Sequence, residues 1–281
     1  MIYRLHDVTK VYPTRHGPVS SISGVSFCVV EGEQVALLGP SGAGKTTLFR
    51  LLNATLLATS GNLAFGGDDV LKMSSRELRG MRRRINTIYQ QHHLVPSLTA
   101  LENALCGNLG RWSLLHTIRS TFRPSRQEAA HAMAALEMVG LAEKYRARAD
   151  ELSGGQQQRL SIARVLVQDP DVILADEPFA SLDPALTESI ASLLLTLAQD
   201  RKRTLIVTLH DREMALRYFP RIVALREGGI AFDMTRDEVS REALEGLYVA
   251  NTIPQESVAC EVDRSMTIGK SGGSREPTCA R

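Results

Sequence analysis

The sequence contains few cysteines and few aromatic side chains. Of its 281 residues, four are cysteine and one is tryptophan, and aromatic residues make up 5%. The cysteines are scattered along the chain without any Cys-x-x-Cys pair, at Cys28, Cys106, Cys260 and Cys279. Such spacing indicates neither a structural zinc site nor a disulfide framework, and we interpret them as free thiols.

Long apolar runs and an excess of one charge are also lacking. No stretch approaches the ~18 consecutive apolar residues that a transmembrane helix needs, and residues 1–7 lack the basic-then-apolar layout of a secretory signal. The net charge of +2 is too small to indicate nucleic acid or an anionic membrane as a partner. We therefore expect a cytoplasmic protein, unless a partner subunit holds it at a membrane.

The composition supplies enough apolar material for one large domain, with 43% hydrophobic and 23% charged residues. Short apolar runs at 34–38, 172–175, 205–209 and 222–225 are separated by helical patterns. This order predicts an α/β fold with a mostly parallel sheet that is covered on both faces. Gly39, Asp176 and His210 each follow one of these runs, so we expect them to converge at the carboxyl edge of the sheet.

Other segments give weaker signals. We predict strands at 2–8 and 25–30 with a loop over 13–24, and a mostly helical middle over 74–169. Ser74 and Glu77 fit a capping box, and a helix over 127–139 should stop at Gly140. From residue 251 the pattern dissolves into a polar tail with four acidic and four basic residues, which we expect to be mobile or loosely attached.

A glycine-rich loop follows the run at 34–38. The segment from Gly39 to Thr46 fits the pattern G-x-x-x-x-G-K-[ST] in full. Glycines let successive N–H groups point at a phosphate, the Lys45 ammonium can reach the β- and γ-phosphates, and the Thr46 hydroxyl can bind Mg²⁺. The pattern predicts a nucleoside triphosphate site, and the residues assigned to it are Gly39, Pro40, Ser41, Gly42, Ala43, Gly44, Lys45, Thr46 and Thr47.

An acidic pair follows the run at 172–175. Alone, Asp176 and Glu177 would be more typical of a helix cap or a solvated surface. Beside a phosphate loop, one carboxylate can join the Mg²⁺ shell and the other can polarise a water for in-line attack on the γ-phosphate. We assign Asp176 to Mg²⁺ and Glu177 to the general base.

A second candidate anion site is the turn Ser153-Gly154-Gly155-Gln156, which opens a predicted helix. Exposed N–H groups, a hydroxyl and a helix N-terminus together favour an anion. A helix cap without a ligand would explain the turn if it stood alone.

That turn, preceded by leucine, resembles the signature motif of the ABC (ATP-binding cassette) ATPases, and other segments follow in the order of that family. Gly39 to Thr46 is similar to the Walker A loop, and 172–177 resembles Walker B with its catalytic glutamate. The resemblance covers about residues 1–248 and implies further roles. Tyr12 would stack on adenine, Gln90 would contact Mg²⁺ and sense the membrane subunit, Ser181-Leu182-Asp183 would form the D-loop, and His210 would contact the γ-phosphate.

The resemblance also implies an architecture and a working unit. The fold would be an α/β P-loop NTPase of ABC type, with a mostly parallel central sheet, an antiparallel β subdomain and a helical subdomain. The ATPase domain would span 1–250, with the helical subdomain inserted at about 91–165 and the tail at 251–281 outside it. Two copies would face head to tail, with ATP and Mg²⁺ on one copy completed by Ser153, Gly154, Gly155, Gln156 and Asp183 of the other. Glu177, His210 and Gln90 would be catalytic, and Thr46, Gln90 and Asp176 would hold the metal.

Cargo is suggested only by resemblance, because an ATPase subunit does not touch it. The repeated Gln156-Gln157-Gln158 and the insert at 107–126 resemble the phosphonate importer ATPases, whereas Thr208 departs from an expected asparagine. We therefore expect an ATPase that drives uptake of phosphonates, or of phosphite or phosphate-like anions. It would act at the cytoplasmic face of the inner membrane with permease subunits and a periplasmic binding protein, and without nucleic acid.

Other functions remain open at this point. They are an ABC ATPase for another cargo, such as an amino acid, a metal or a released lipoprotein, a soluble ABC ATPase outside transport, and a P-loop kinase. The arginines at 79, 82, 83 and 84, and those at 111–126, could face lipid or a partner or form a solvated surface.

Overall fold

The computed structural model describes residues 1–15, 17–89, 93–180, 182–200 and 202–248. Within these ranges the strands are β1 (Tyr3–Thr14), β2 (Gly17–Val29), β3 (Gln34–Leu38), β4 (Ser60–Phe65), β5 (Asp68–Asp69), β6 (Ile85–Ile88), β7 (Val172–Asp176), β8 (Thr204–Leu209), β9 (Arg221–Arg226) and β10 (Gly229–Thr235). The α-helices there are α1 (Lys45–Leu52), α2 (Ser75–Arg83), α3 (Ala100–Leu105), α4 (Leu114–Phe122), α5 (Arg126–Met138), α6 (Gly154–Gln168), α7 (Pro184–Asp200), α8 (Arg212–Tyr218) and α9 (Arg241–Tyr248).

The central sheet has the strand order β10-β9-β3-β8-β7-β6. Neighbours pair in parallel except β10, which pairs antiparallel with β9. All residues of β3 and β8 are buried, as expected for strands covered on both faces. The predicted parallel sheet is therefore confirmed.

The two faces of this sheet carry different layers. Val35 and Leu37 of β3 pack with the side of the molecule that contains Tyr3 and α1. Ala36 and Leu38 pack with buried residues of α6, α7 and α8 on the opposite face. Side chains alternate along a strand, so one short strand joins both cores and holds the loop after Leu38 in a fixed position.

A second sheet, with the order β2-β1-β4-β5, is antiparallel. The predicted loop over 13–24 is wrong, because β1 and β2 continue through most of it and Pro13 pairs with Pro18. Pairing of β1 with β4 ends at Thr9, and β2 is an edge strand. Neither proline therefore has to donate to an outer neighbour, which is the position in which sheets tolerate proline.

The middle of the chain is less helical than predicted. It includes β6, which pairs in parallel with β7 and forms one edge of the central sheet. Two local predictions are confirmed: Ser74 and Glu77 form a reciprocal capping box at α2, and α5 ends one residue before the predicted end at Val139. The proposed domain limits stay a prediction, and the tail at 251–281 lies outside the described residues.

None of the helices in the described ranges combines the length and the apolar character needed to cross a bilayer.

Candidate active site

The phosphate loop leaves the carboxyl end of β3 and leads directly into α1. The Lys45 side chain turns back over this loop, where its Nζ donates to the carbonyl oxygens of Gly39 at 2.5 Å and of Pro40 at 3.1 Å. Lys45 is only 6% exposed. Burial lowers the pKa of Lys45, and the negative charges of Glu177 and Asp176 oppose that shift. A buried ammonium with two neutral acceptors is suited to exchange them for phosphate oxygens.

The N-terminus of α1 offers free donors to the same space. Its cap is Gly44, which has φ +99 and no side chain to accept the first-turn N–H groups. A Cβ at Gly44 would crowd the carbonyl oxygen of Ser21 on β2, so this approach requires glycine. The Ser21 hydroxyl lies 2.7 Å from the Thr47 hydroxyl and links β2 to the first turn of the helix.

The acidic pair stands at the end of β7, with Asp176 as its last residue. Thr208 of the neighbouring strand donates from its hydroxyl to Asp176 Oδ1 at 2.6 Å and accepts from the Glu177 N–H at 2.9 Å. Glu177 has φ +48, in the left-handed region that non-glycine residues rarely adopt. Its backbone therefore leaves the strand sharply.

His210 follows β8 and joins the two halves of the site. Its Nε2 lies 2.5 Å from Glu177 Oε1, and its Nδ1 lies 3.4 Å from Lys45 Nζ. The predicted convergence at the carboxyl edge of the sheet is confirmed, because Gly39, Asp176 and His210 are joined through the contacts of Lys45, Thr208 and Glu177.

A cavity of about 200 Å³ lies over these groups. Its lining includes Ser21, Glu177, His210 and the loop and helix residues Ser41, Gly42, Ala43, Gly44, Lys45, Thr46 and Thr47. Tyr12 is not part of this lining; it lies on β1 opposite Val19, near the end of the hairpin. Gln90 lies outside the described residues.

Two relevant residues were missed by the sequence-based prediction of the site. Ser21 fell in the segment taken for a loop, and no sequence signal identified it. Thr208 stood out only as a departure from the expected asparagine, and its contacts with the acidic pair depend on the pairing of β7 with β8.

A family model for the ABC transporter matches residues 22–180. The chain belongs to the ABC transporter ATP-binding family. It is 46% identical to the phosphonates import ATP-binding protein PhnC of Anaeromyxobacter dehalogenans over 235 residues, which are 84% of this chain and 46% of that protein. It is 39% identical to PhnC 3 of Halalkalibacterium halodurans over 242 residues, which are 86% of this chain and 92% of that protein.

Solved ABC cassettes share the fold. The dimeric structure of MJ0796, a bacterial ABC transporter cassette, is 31% identical with a TM-score of 0.74, and the match covers 84% of this chain and 99% of that one. The cbiO1 structure from Clostridium perfringens, part of the cbiONQ transporter complex, is 25% identical with a TM-score of 0.73, and the match covers 86% of this chain and 92% of that one. A post-hydrolysis dimer of MJ0796 bound to ADP and Pi is also similar, with a TM-score of 0.72. Membership of this family makes the chain an ATP-binding ATPase.

The signature segment of this ABC cassette is exposed at the start of α6. The Ser153 hydroxyl accepts from the Gln156 N–H, and the Gln156 side chain accepts from the Ser153 N–H. Ser153 and Gly154 are exposed, and the segment does not line the cavity over Lys45. Asp183 caps α7 by accepting from the Leu186 N–H. Within one chain these residues are therefore not brought to the phosphate loop.

The residues at the phosphate loop fit both ATP and Mg²⁺. A nearly buried ammonium and the uncapped N–H groups of α1 suit a triphosphate. The Thr46 hydroxyl and the Asp176 carboxylate are hard oxygen donors, which Mg²⁺ prefers. No cluster of three or more His, Cys, Asp or Glu side chains suited to a metal occurs in the described part of the chain.

Proposed function

We propose that this chain is the ATP-hydrolysing subunit of an importer for phosphonates, or for phosphite or phosphate-like anions. The observation that carries the chemistry is that His210 lies within hydrogen-bonding distance of both Lys45 and Glu177. The names of these relatives, which describe phosphonates import ATP-binding proteins, support the cargo.

In the proposed reaction Lys45 exchanges the carbonyl oxygens of Gly39 and Pro40 for β- and γ-phosphate oxygens, while the N–H groups at the start of α1 hold the phosphates. Thr46 and Asp176 would hold Mg²⁺, with Gln90 as a further ligand. The bound metal would supply positive charge to the oxygens of the phosphoryl group that ATP provides.

Glu177 acts as the general base and takes a proton from the attacking water. Its partner His210 orients the carboxylate and would contact the γ-phosphate. The 2.5 Å separation of Glu177 Oε1 and His210 Nε2 supports this role, because movement of one group repositions the other.

We infer that a second copy completes the site. Ser153, Gly154, Gly155, Gln156 and Asp183 of one copy would face the γ-phosphate held by the other, and Tyr12 would stack on adenine. The exposed N-terminus of α6 supports this arrangement, and so does the similarity to the dimeric MJ0796 cassette.

The membrane partner would bind beside Tyr89. A cleft of about 710 Å³ opens between α2, β6 and the helical region, lined by Tyr89, Arg79, Arg83, Arg111 and Trp112 among others. Its basic and aromatic lining supports contact with permease subunits, which would place the chain peripherally on the cytoplasmic face of the inner membrane. A periplasmic binding protein would take part through the complex.

The proposal is tested by co-expressing the chain with candidate permease and binding-protein subunits of a phosphonate importer. Membranes from these cells should take up a phosphonate in an ATP-dependent manner, and Glu177→Gln should abolish uptake while assembly is retained. Uptake of an amino acid or a metal instead would reject the phosphonate cargo. Isolation of the chain only with DNA or ribosomes would reject the transport function.

A further inference from the structure

Thr208 is a fully buried polar residue near the carboxyl end of β8, with 0% of its surface exposed. It lies directly opposite Asp176 in the register of β7 and β8. The site predicted from the sequence did not include it, and the proposed chemistry does not use it. A buried hydroxyl needs hydrogen-bond partners, so its partners indicate why it is there.

Both of its partners belong to the acidic pair. The hydroxyl has one proton to donate, which goes to Asp176 Oδ1 at 2.6 Å. One of its lone pairs accepts the N–H of Glu177 at 2.9 Å. A single hydroxyl thus restrains the carboxylate of one residue and the backbone of the next.

The N–H of Glu177 needs this acceptor because the strand pairing has ended. Asp176 opposite Thr208 is the last pair between β7 and β8, and Glu177 then turns into the left-handed region at φ +48. A non-glycine residue stays in that region only when its surroundings hold it there. The hydrogen bond from the Glu177 N–H to Thr208 is such a restraint.

We propose that Thr208 is a positioning residue for ATP hydrolysis that couples the Mg²⁺ ligand Asp176 to the general base Glu177. By engaging Asp176 Oδ1, it leaves Oδ2 of that carboxylate for the metal. By holding the Glu177 backbone, it directs the glutamate side chain toward His210 and the phosphate cavity. This inference rests on the proposed roles of Asp176 and Glu177.

The same strand offers a matched control. Thr204 starts β8, is 1% exposed, and lies four residues from Thr208 on the same face of the strand. Its hydroxyl also accepts a backbone N–H, that of Gly32 at 3.0 Å, and donates to the Val30 carbonyl at 3.4 Å. It has no contact with the acidic pair, so valine at this position measures the effect of losing a buried hydroxyl alone.

The test compares Thr208→Val, Thr208→Ser and Thr204→Val in the full-length chain. Steady-state ATP hydrolysis is measured as a function of ATP and of Mg²⁺, together with thermal unfolding. Thr208→Val should lower kcat by about tenfold to a hundredfold with little change in KM for ATP, and should raise the Mg²⁺ concentration for half-maximal rate. Thr208→Ser keeps the hydroxyl, so its kcat and its Mg²⁺ concentration for half-maximal rate should stay near wild type. Thr204→Val should also leave both values near wild type.

Two results would overturn the proposal and can be told apart. If Thr208→Val matches Thr204→Val in kcat and Mg²⁺ dependence while Glu177→Gln is inactive, Thr208 does not position the pair and the proposed function stands. If Glu177→Gln hydrolyses ATP at the wild-type rate, the proposed base is wrong and this inference fails with it. Should Thr208→Val not fold, Thr208→Cys keeps the volume with a weak donor, and it must show the same loss of kcat and the same Mg²⁺ shift.

Discussion

His210 Nε2 lies 2.5 Å from Glu177 Oε1, while the other ring nitrogen of His210 lies 3.4 Å from Lys45 Nζ. The proposed base and the phosphate-binding lysine are therefore connected through one imidazole. Lys45 is in turn held by the carbonyl oxygen of Gly39 at 2.5 Å. A phosphate that enters between Lys45 and His210 would replace contacts among Gly39, Lys45, His210 and Glu177. The Glu177 carboxylate would then be free to contact a water.

Glu177→Gln should preserve ATP binding and remove most hydrolysis, because glutamine cannot accept the proton of the attacking water. A loss of about a hundredfold or more in phosphate release is expected, with unchanged binding of a fluorescent nucleotide. Glu188→Gln is the control, since Glu188 forms an ion pair of 2.6 Å with Arg217 at an exposed position and should lose little activity. Equal rates for Glu177→Gln and the wild type would disprove the assignment of the base.

Much of this site could be predicted because its parts are encoded locally. The run before Gly39 and the spacing to Lys45 define a strand, a loop and a helix without reference to any other segment. The roles of Ser21 and Thr208 could not be predicted, since each depends on a partner distant in sequence: Thr47 for Ser21, and Asp176 for Thr208. Long-range pairing also explains why β6 was missed, because its four residues become a strand only beside β7.

Gly154→Ala should lower the ATPase rate of the proposed dimer without destabilising the fold. A Cβ at Gly154 meets no atom within 4 Å, and alanine is at least as compatible with a helix as glycine. The melting temperature should therefore be unchanged or higher, whereas ATP hydrolysis should fall by about tenfold or more if the N-terminus of α6 faces the phosphates of a second copy.

Gly246→Ala is the matched control for that variant. Gly246 lies in α9, and an added Cβ there also meets open space. This variant should keep its ATPase rate, and its stability should be unchanged or higher. If Gly154→Ala also keeps its full rate, the signature segment does not approach nucleotide, and the proposed sandwich dimer is contradicted.

Arg79→Glu should weaken binding to the membrane partner without altering the basal ATPase rate. Arg79 lines the cleft beside Tyr89, and reversal of a charge in an interface destabilises the complex while the distant phosphate loop is untouched. Arg76→Glu is the control, because Arg76 is exposed on the same helix and does not line the cleft. The measurement is the amount of permease that co-purifies with each variant. Equal recovery with both variants would exclude this cleft as the docking surface.

Glu128 should make stability fall in acid over a defined pH range. At the start of α5 its carboxylate accepts from the Ser125 N–H at 2.7 Å, and its other oxygen lies 2.7 Å from His116 Nε2. The hydrogen bond from the Ser125 backbone, aided by the side chains of Ser125, His116 and Ser120, lowers the pKa of Glu128 from 4.5 to about 2. As the pH falls, Glu128 is therefore protonated in the unfolded chain before it is protonated in the folded chain. The stabilisation of the fold by the ionised carboxylate is complete above pH 4.5 and is lost as the pH falls toward 2.

Glu128→Gln should accordingly cost about 0.5–1 kcal/mol of unfolding free energy at pH 7. The difference from wild type should shrink between pH 4.5 and 2, because the wild-type carboxylate becomes neutral there. Chemical denaturation at several pH values measures both effects. Glu137→Gln, an exposed position in the last turns of the same helix, should change stability by less than about 0.5 kcal/mol. A Glu128→Gln difference that stays constant down to pH 2 would mean that the carboxylate charge does not stabilise the start of α5.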